Sequence, residues 1–273
     1  MHLVEDGSPD APAVLLLGNA ATPVALWDPV IPSLASACRV IRVDVFGRDT
    51  PARGYDLPAQ ARRVGSALDE LGVSGVTVIG HSSGGTLAVA LAEQRPALVA
   101  ALALIDTGPS LGAKFAENRA ARLLLNPVAG PLLWRLKTGA TIRKAARTGF
   151  TRPIEIPDAF IEHVMAMRHR SFVAAMRTPL DYLGQRSLPE RLGTLNLPLL
   201  VIFGADDRRW RSSSAADYRA VPGARVEMLP GLGHTPVMED PAATARLLLD
   251  FATAAGHAHR PPQRTAPDDR RHD

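Results

Sequence analysis

The chain has 273 residues, 46% of them hydrophobic and 21% charged, which suits a globular domain with a sizeable core and excludes a charge-rich disordered polymer. No apolar run approaches the length of a membrane span. The formal net charge of +4 is modest, and the lone cysteine, Cys38, excludes an internal disulfide and is expected to be a buried free thiol.

In chain order, Leu3–Glu5 reads as a short strand before the turn Asp6-Gly7-Ser8-Pro9. The acidic start argues against a signal peptide, so the expected location is the cytoplasm. Ala13–Leu17 is a continuous apolar run, the pattern of a strand buried on both faces of a parallel sheet. A loop from Gly18 to Pro23 and a helix around Trp27–Ala37 follow. Arg39–Val45 is the next strand, and Phe46–Tyr55 a loop. Asp56 is placed to cap a helix bearing Ala61, Val64, Leu68 and Leu71 on one face, with Gly72 ending it.

Val76–Gly85 reads V-T-V-I-G-H-S-S-G-G and leads into the helical stretch from Thr86 to Glu93. A serine at the tip of a strand-to-helix turn needs small residues two before and two after it. Gly80 and Gly84 hold those places around Ser82. Leu98–Ile105 returns as a strand. Strands alternating with helices imply right-handed parallel units and an α/β fold.

The alternation stops at Asp106-Thr107-Gly108-Pro109. Residues 110–195 read as helical pieces, with Pro127, Pro131, Pro153, Pro157, Pro179 and Pro189 among their expected breakers. The rhythm resumes with a strand at Leu199–Phe203, a helix over Ser213–Ala220, a strand at Arg225–Leu229 and a helix over Pro241–Ala255. Residues 1–109 and 196–255 therefore form the expected core, 110–195 a helical cap inserted between two strands, and 256–273 a disordered tail rich in proline and charge.

The positive charge is concentrated in the insertion. Residues 111–152 carry nine basic side chains (Lys114, Arg119, Arg122, Arg135, Lys137, Arg143, Lys144, Arg147, Arg152) against one acid, Glu117. Without an aromatic platform or reading motif, no nucleic-acid partner is expected. The stretch is read as solvated helix faces, and its sharper reading is attraction of an anionic or carrier-linked substrate.

A serine hydroxyl needs a base, and the base needs a carboxylate to fix its tautomer. Asp207 follows one strand and His234 another, each where an open α/β sheet places reactive groups. On G-H-S-S-G at Gly80–Gly84, V-I-F-G-A-D-D at Val201–Asp207 and G-L-G-H-T-P-V-M-E-D-P at Gly231–Pro241, the chain resembles the serine-nucleophile α/β-hydrolases with a helical cap, over residues 3–255. The resemblance implies a mostly parallel sheet; because this sequence starts too late for the family's usual first hairpin, about seven strands are expected, the first being absent. It also implies Ser82, Asp207 and His234 as catalytic residues, the acid three after Gly204 being chosen over Asp206. Asp106 occupies the alternative acid position of some relatives.

The oxyanion donors implied are the N–H of Ser83 and, by spacing to Trp27, that of Ala20, with Asn19 standing where many relatives have glycine. Asn19, His81, Trp134, Met165 and Met176 are the candidate pocket residues, whereas His163 and His169 are read as surface or lining residues of the cap. No metal and no cofactor is expected. The partner expected is a small apolar substrate, with no membrane. The resemblance implies hydrolysis of a carboxylic ester, lactone or thioester. The alternatives are C–C bond cleavage or a cofactor-free biosynthetic reaction on the same scaffold, and a non-catalytic ligand-binding role.

Overall fold

The apolar runs become strands whose alternate side chains feed two separate cores. The computed structural model describes residues 2–19, 22–45 and 56–259. The strands are β1 (His2–Asp6), β2 (Ala13–Leu17), β3 (Arg39–Asp44), β4 (Val76–His81), β5 (Val99–Ile105), β6 (Leu199–Gly204) and β7 (Arg225–Leu229), and the described residues form one seven-stranded sheet in the order β1-β3-β2-β4-β5-β6-β7. Only β1 runs antiparallel, pairing His2 with Asp44 and Asp6 with Val40.

Leu15, Leu17, Val78, Val201 and Phe203 point to one side of the sheet, and Val14, Leu16, Ile79, Leu200 and Ile202 to the other. The first side is covered by α2 (Leu57–Glu70) and α3 (Ser83–Gln94), and the second by α1 (Ile31–Ala35) and the last helix, Pro241–His259. Coverage on both faces is why these strands lack polar alternation. Cys38 lies in the second core, fully buried, and burial raises its thiol pKa above the ordinary value.

Several expectations from the sequence change here. The helix expected at Trp27–Ala37 is split into a 3-10 turn, Val24–Trp27, and the short α1, because Pro32 fits only the first turn of a helix. Asp56 precedes α2 but makes no side-chain cap bond, whereas Gly72 ends the helix at φ +66°. The segment Ser212–Ala220 is a 3-10 helix. The last helix continues to His259, past the expected start of the tail. Ala20, the loop Phe46–Tyr55 and the rest of the tail lie outside the described residues.

Between β5 and β6 stand α4 (Arg119–Leu124), α5 (Ala129–Arg135), α6 (Gly139–Arg147), α7 (Asp158–Ala166), α8 (His169–Gln185) and α9 (Leu188–Leu192). Pro179 does not break this segment. It sits inside α8, buried, and the helix tolerates its missing N–H. The two ends of the insertion meet where the Leu188 N–H donates to the Pro109 carbonyl at 2.8 Å.

The insertion also touches the carboxyl ends of the strands. His234 N–H donates to Gly149 O at 2.9 Å, and the Arg209 guanidinium donates to Thr148 Oγ1 at 2.8 Å. Of its basic side chains, Lys114, Arg143 and Arg152 are paired with Glu117, Asp158 and Asp240. No helix among the described residues is long and apolar enough to cross a membrane.

Candidate active site

Ser82 joins β4 to α3 with φ 56° and ψ −122°, a conformation that L-residues avoid unless the surroundings enforce it. Its N–H donates to Ile105 O at 2.8 Å, and its carbonyl accepts from Gly85 N at 3.0 Å. The turn is possible because strand and helix almost touch. A Cβ on Gly80 would lie 2.4 Å from the Gly85 Cα, and one on Gly84 would lie 2.1 Å from the Leu17 carbonyl oxygen. Neither backbone can yield without moving the sheet. Gly84→Ala is therefore expected to cost about 3 kcal/mol and to lower the thermal midpoint by roughly 6–12 °C, as followed by circular dichroism.

Two further loops bring their side chains to this turn. Asp207 follows β6, and its Oδ1 accepts the N–H groups of Arg209 at 2.6 Å and Trp210 at 3.3 Å. Its Oδ2 lies 2.9 Å from His234 Nδ1, and His234 Nε2 lies 3.0 Å from Ser82 Oγ. With a carboxylate on Nδ1, the neutral imidazole carries its proton there, so Nε2 accepts from the Ser82 hydroxyl. Burial pushes the Asp207 carboxyl up, but the charge and hydrogen bond of His234, together with the Arg209 and Trp210 N–H groups, outweigh it and hold its pKa below the ordinary value.

His81 lies under this row, almost fully buried. Its Nε2 donates to His234 O at 2.7 Å, which fixes the imidazole's backbone from below. Burial, aided by the charge of His234, pushes its pKa down to about 3, so it stays neutral. It packs beneath the site and does not line an open wall.

Trp134 also departs from the expectation. Its indole N–H donates to Met167 O at 2.8 Å, and its ring stacks on Phe172 at 4.4 Å, inside a small core of the insertion itself. Met165 on α7 is half-buried and Met176 on α8 exposed. Asn19 lines a small cavity with Gly18, Thr22 and Trp27 at the end of β2. His163 is buried and His169 Nε2 lies 2.7 Å from Leu124 O, so neither is a plain surface residue.

The structure adds Thr107, which no sequence signal singled out, and gives Asp106, the alternative acid position, a defined environment. Thr107 Oγ1 lies 3.1 Å from Ser82 O and 3.2 Å from Ile105 O, donating to one of them at the turn. Asp106 is fully buried at φ 43°, and its Oδ1 accepts Gly204 N–H at 2.9 Å. Its Oδ2 has no hydrogen-bond partner, yet an Asp106 oxygen lies within 4.8 Å of both Asp207 and His234. Such a trio could suggest a metal set, but both His234 nitrogens are engaged by Asp207 and Ser82. Burial, and then the Asp207 charge, raise the Asp106 pKa well above the ordinary 3.8, so of the two acids Asp106 keeps the proton.

That assignment has a measurable sign. A carboxyl with a raised folded pKa makes folding take up a proton. Its stabilisation is complete below the unfolded value and declines as pH rises toward the folded one. Asp106→Asn is expected to flatten the fall in stability as pH rises above about 4, read from urea midpoints across that range. An unchanged pH slope would show that Asp106 is ionised in the folded protein.

A model described as the alpha/beta hydrolase family matches residues 14–247. The chain is 30% identical over 259 residues to the "Putative carbamate hydrolase RutD" of Variovorax paradoxus (strain S110), covering 92% of this chain and 95% of that protein. It is 26% identical to the "Putative 2-succinyl-6-hydroxy-2,4-cyclohexadiene-1-carboxylate synthase" of Bacillus subtilis (strain 168), covering 93% and 95%. Among solved structures, an esterase from Exiguobacterium antarcticum superposes with a TM-score of 0.75 at 18% identity, covering 92% of this chain and 94% of that one, a likeness of fold.

Proposed function

The chain belongs to the alpha/beta hydrolase family, and on that premise we propose that it hydrolyses a carboxylic ester, lactone or thioester through an acyl-enzyme on Ser82. The reading rests on one observation, the unbroken row from Ser82 Oγ to His234 Nε2 at 3.0 Å and from His234 Nδ1 to Asp207 Oδ2 at 2.9 Å. Ser82 Oγ attacks the carbonyl while His234 takes its proton and then passes it to the leaving alcohol or thiol. Water, deprotonated by the same imidazole, cleaves the acyl-enzyme. Asp207 keeps the imidazole in the required tautomer and stabilises its cation.

The tetrahedral oxyanion needs donors already in place. The N–H of Ser83, the first residue of α3, is one by its position at the start of the helix. The second is assigned to Ala20, which lies outside the described residues. The helical insertion acts as a cap, because it rests on the loops that carry Asp207 and His234.

A panel of p-nitrophenyl esters of rising acyl length, with fluorophosphonate labelling mapped by peptide mass, tests this reading. The expected result is turnover of the short esters and one adduct on Ser82. The similarity to a protein named as a synthase favours one rival, a non-hydrolytic reaction on the same residues. Labelling of Ser82 with no ester turnover would select it, and an adduct elsewhere would remove both.

A further inference from the structure

Glu239 is a buried carboxylate five residues after His234, at the end of a short helix, α10 (Pro236–Glu239). Burying a carboxylate is costly unless its oxygens are well supplied with donors, and here they are. Oε1 accepts the Gly233 N–H at 2.9 Å, and Oε2 accepts the N–H groups of Thr151 at 2.8 Å and Arg152 at 2.9 Å. The Arg152 guanidinium returns to the Glu239 carbonyl at 3.1 Å and to Asp240 Oδ2 at 3.2 Å. One side chain thus joins the loop of His234 to the chain that leaves α6 in the helical insertion.

The backbone around the imidazole has three fixed points. His81 holds its carbonyl from the sheet. The other two run through the insertion: the His234 N–H donates to Gly149 O, and the N–H before it reaches Glu239, which is tied in turn to Thr151 and Arg152. The fit at this seam is tight. A Cβ on Gly233 would lie 2.9 Å from Thr151 N and 3.0 Å from Glu239 Oε1. A shift of the insertion at Gly149–Arg152 is therefore transmitted to residues 233 and 234.

We propose that Glu239 is a positioning residue that makes the place of the His234 imidazole depend on how the helical insertion is seated on the sheet. This rests on the reading of Ser82 and His234 as nucleophile and base. Proton transfer across 3.0 Å tolerates little displacement, so a shift of the imidazole caused by unseating the insertion slows the chemistry.

The test is Glu239→Gln, which keeps the volume but replaces one accepting oxygen by an amide NH2, leaving at least one of the three backbone N–H groups without an acceptor. Active sites are counted by fluorophosphonate titration to completion, and kcat is expressed per titrated site on p-nitrophenyl acetate, with Ser82→Ala alongside. The expected result is a kcat per site lower by about tenfold with KM changed by less than about twofold. A purely structural role would instead lower the fraction of titratable sites and leave the rate of each at the wild-type value. That outcome overturns the proposal. If Glu239→Gln does not fold, the exposed Arg152→Ala decides. It is expected to lower kcat per site by about threefold, and an unchanged rate per site overturns the coupling. Should Ser82→Ala retain wild-type turnover, the failure lies with the site reading. An inactive Ser82→Ala beside a fully active Glu239→Gln removes the coupling alone.

Discussion

Ser82→Ala is expected to lower kcat toward a short acyl ester by about five to six orders of magnitude, with no covalent adduct after fluorophosphonate treatment. The size follows from what remains. His234 would keep its bond to Asp207 but would have no hydroxyl to deprotonate, and Cys38, the chain's one thiol, is fully buried. On the proposed mechanism, oxyanion donors and binding would account for the residue of activity. Stability should change little, because alanine at φ 56° carries the same Cβ as the serine already held there. Circular dichroism and a urea midpoint separate loss of chemistry from loss of fold. A folded Ser82→Ala protein that still turns over at the wild-type rate would remove the acyl-enzyme mechanism.

Asp207→Asn is expected to cost about four orders of magnitude in kcat, for a reason written in its hydrogen bonds. Oδ1 of Asp207 accepts two backbone N–H groups, from Arg209 and Trp210, so an asparagine would keep its carbonyl oxygen there. Its NH2 would then face His234 Nδ1, which must turn from donor to acceptor. The imidazole proton moves to Nε2, and the base can no longer receive the proton of Ser82. The loss should therefore appear in kcat with little effect on KM. A variant within tenfold of wild type would mean that the carboxylate does not set the tautomer, or that the buried Asp106 takes over its charge.

The elements most legible in the sequence were those whose signal is local. Ala13–Leu17 and Leu199–Phe203 are unbroken apolar runs because both faces of the sheet are covered, and Ser82 stands between glycines that the touching backbones require. Asp207 and His234 could be named because each follows a strand end at a motif spacing, and the structure brings both within hydrogen-bond reach of the row from Ser82. What stayed hidden depends on partners far away in the chain. Asp106 meets Gly204 and Glu239 meets Thr151, separations that no periodicity encodes. Trp134 looked like a pocket wall because an aromatic in a helical stretch can face either way, and its bond to Met167 O turns it inward. Pro179's ring alone predicts a break, yet the residue is buried inside a continuous α8.

The bond between Leu188 and Pro109 ties the start of α9 to the chain just after β5, closing most of the insertion into a loop. With that loop closed, most of the intervening length can drift, lengthen or be exchanged between lineages at little entropic penalty, and the spacing of the neighbouring strands stays as it is. A change of sequence in that stretch can then leave the row of Ser82, His234 and Asp207 in place. A transplanted insertion would still have to bring a carbonyl to meet His234 and two amides to meet Glu239, so the seam near Gly149–Arg152 sets the limit on how freely such modules can be traded.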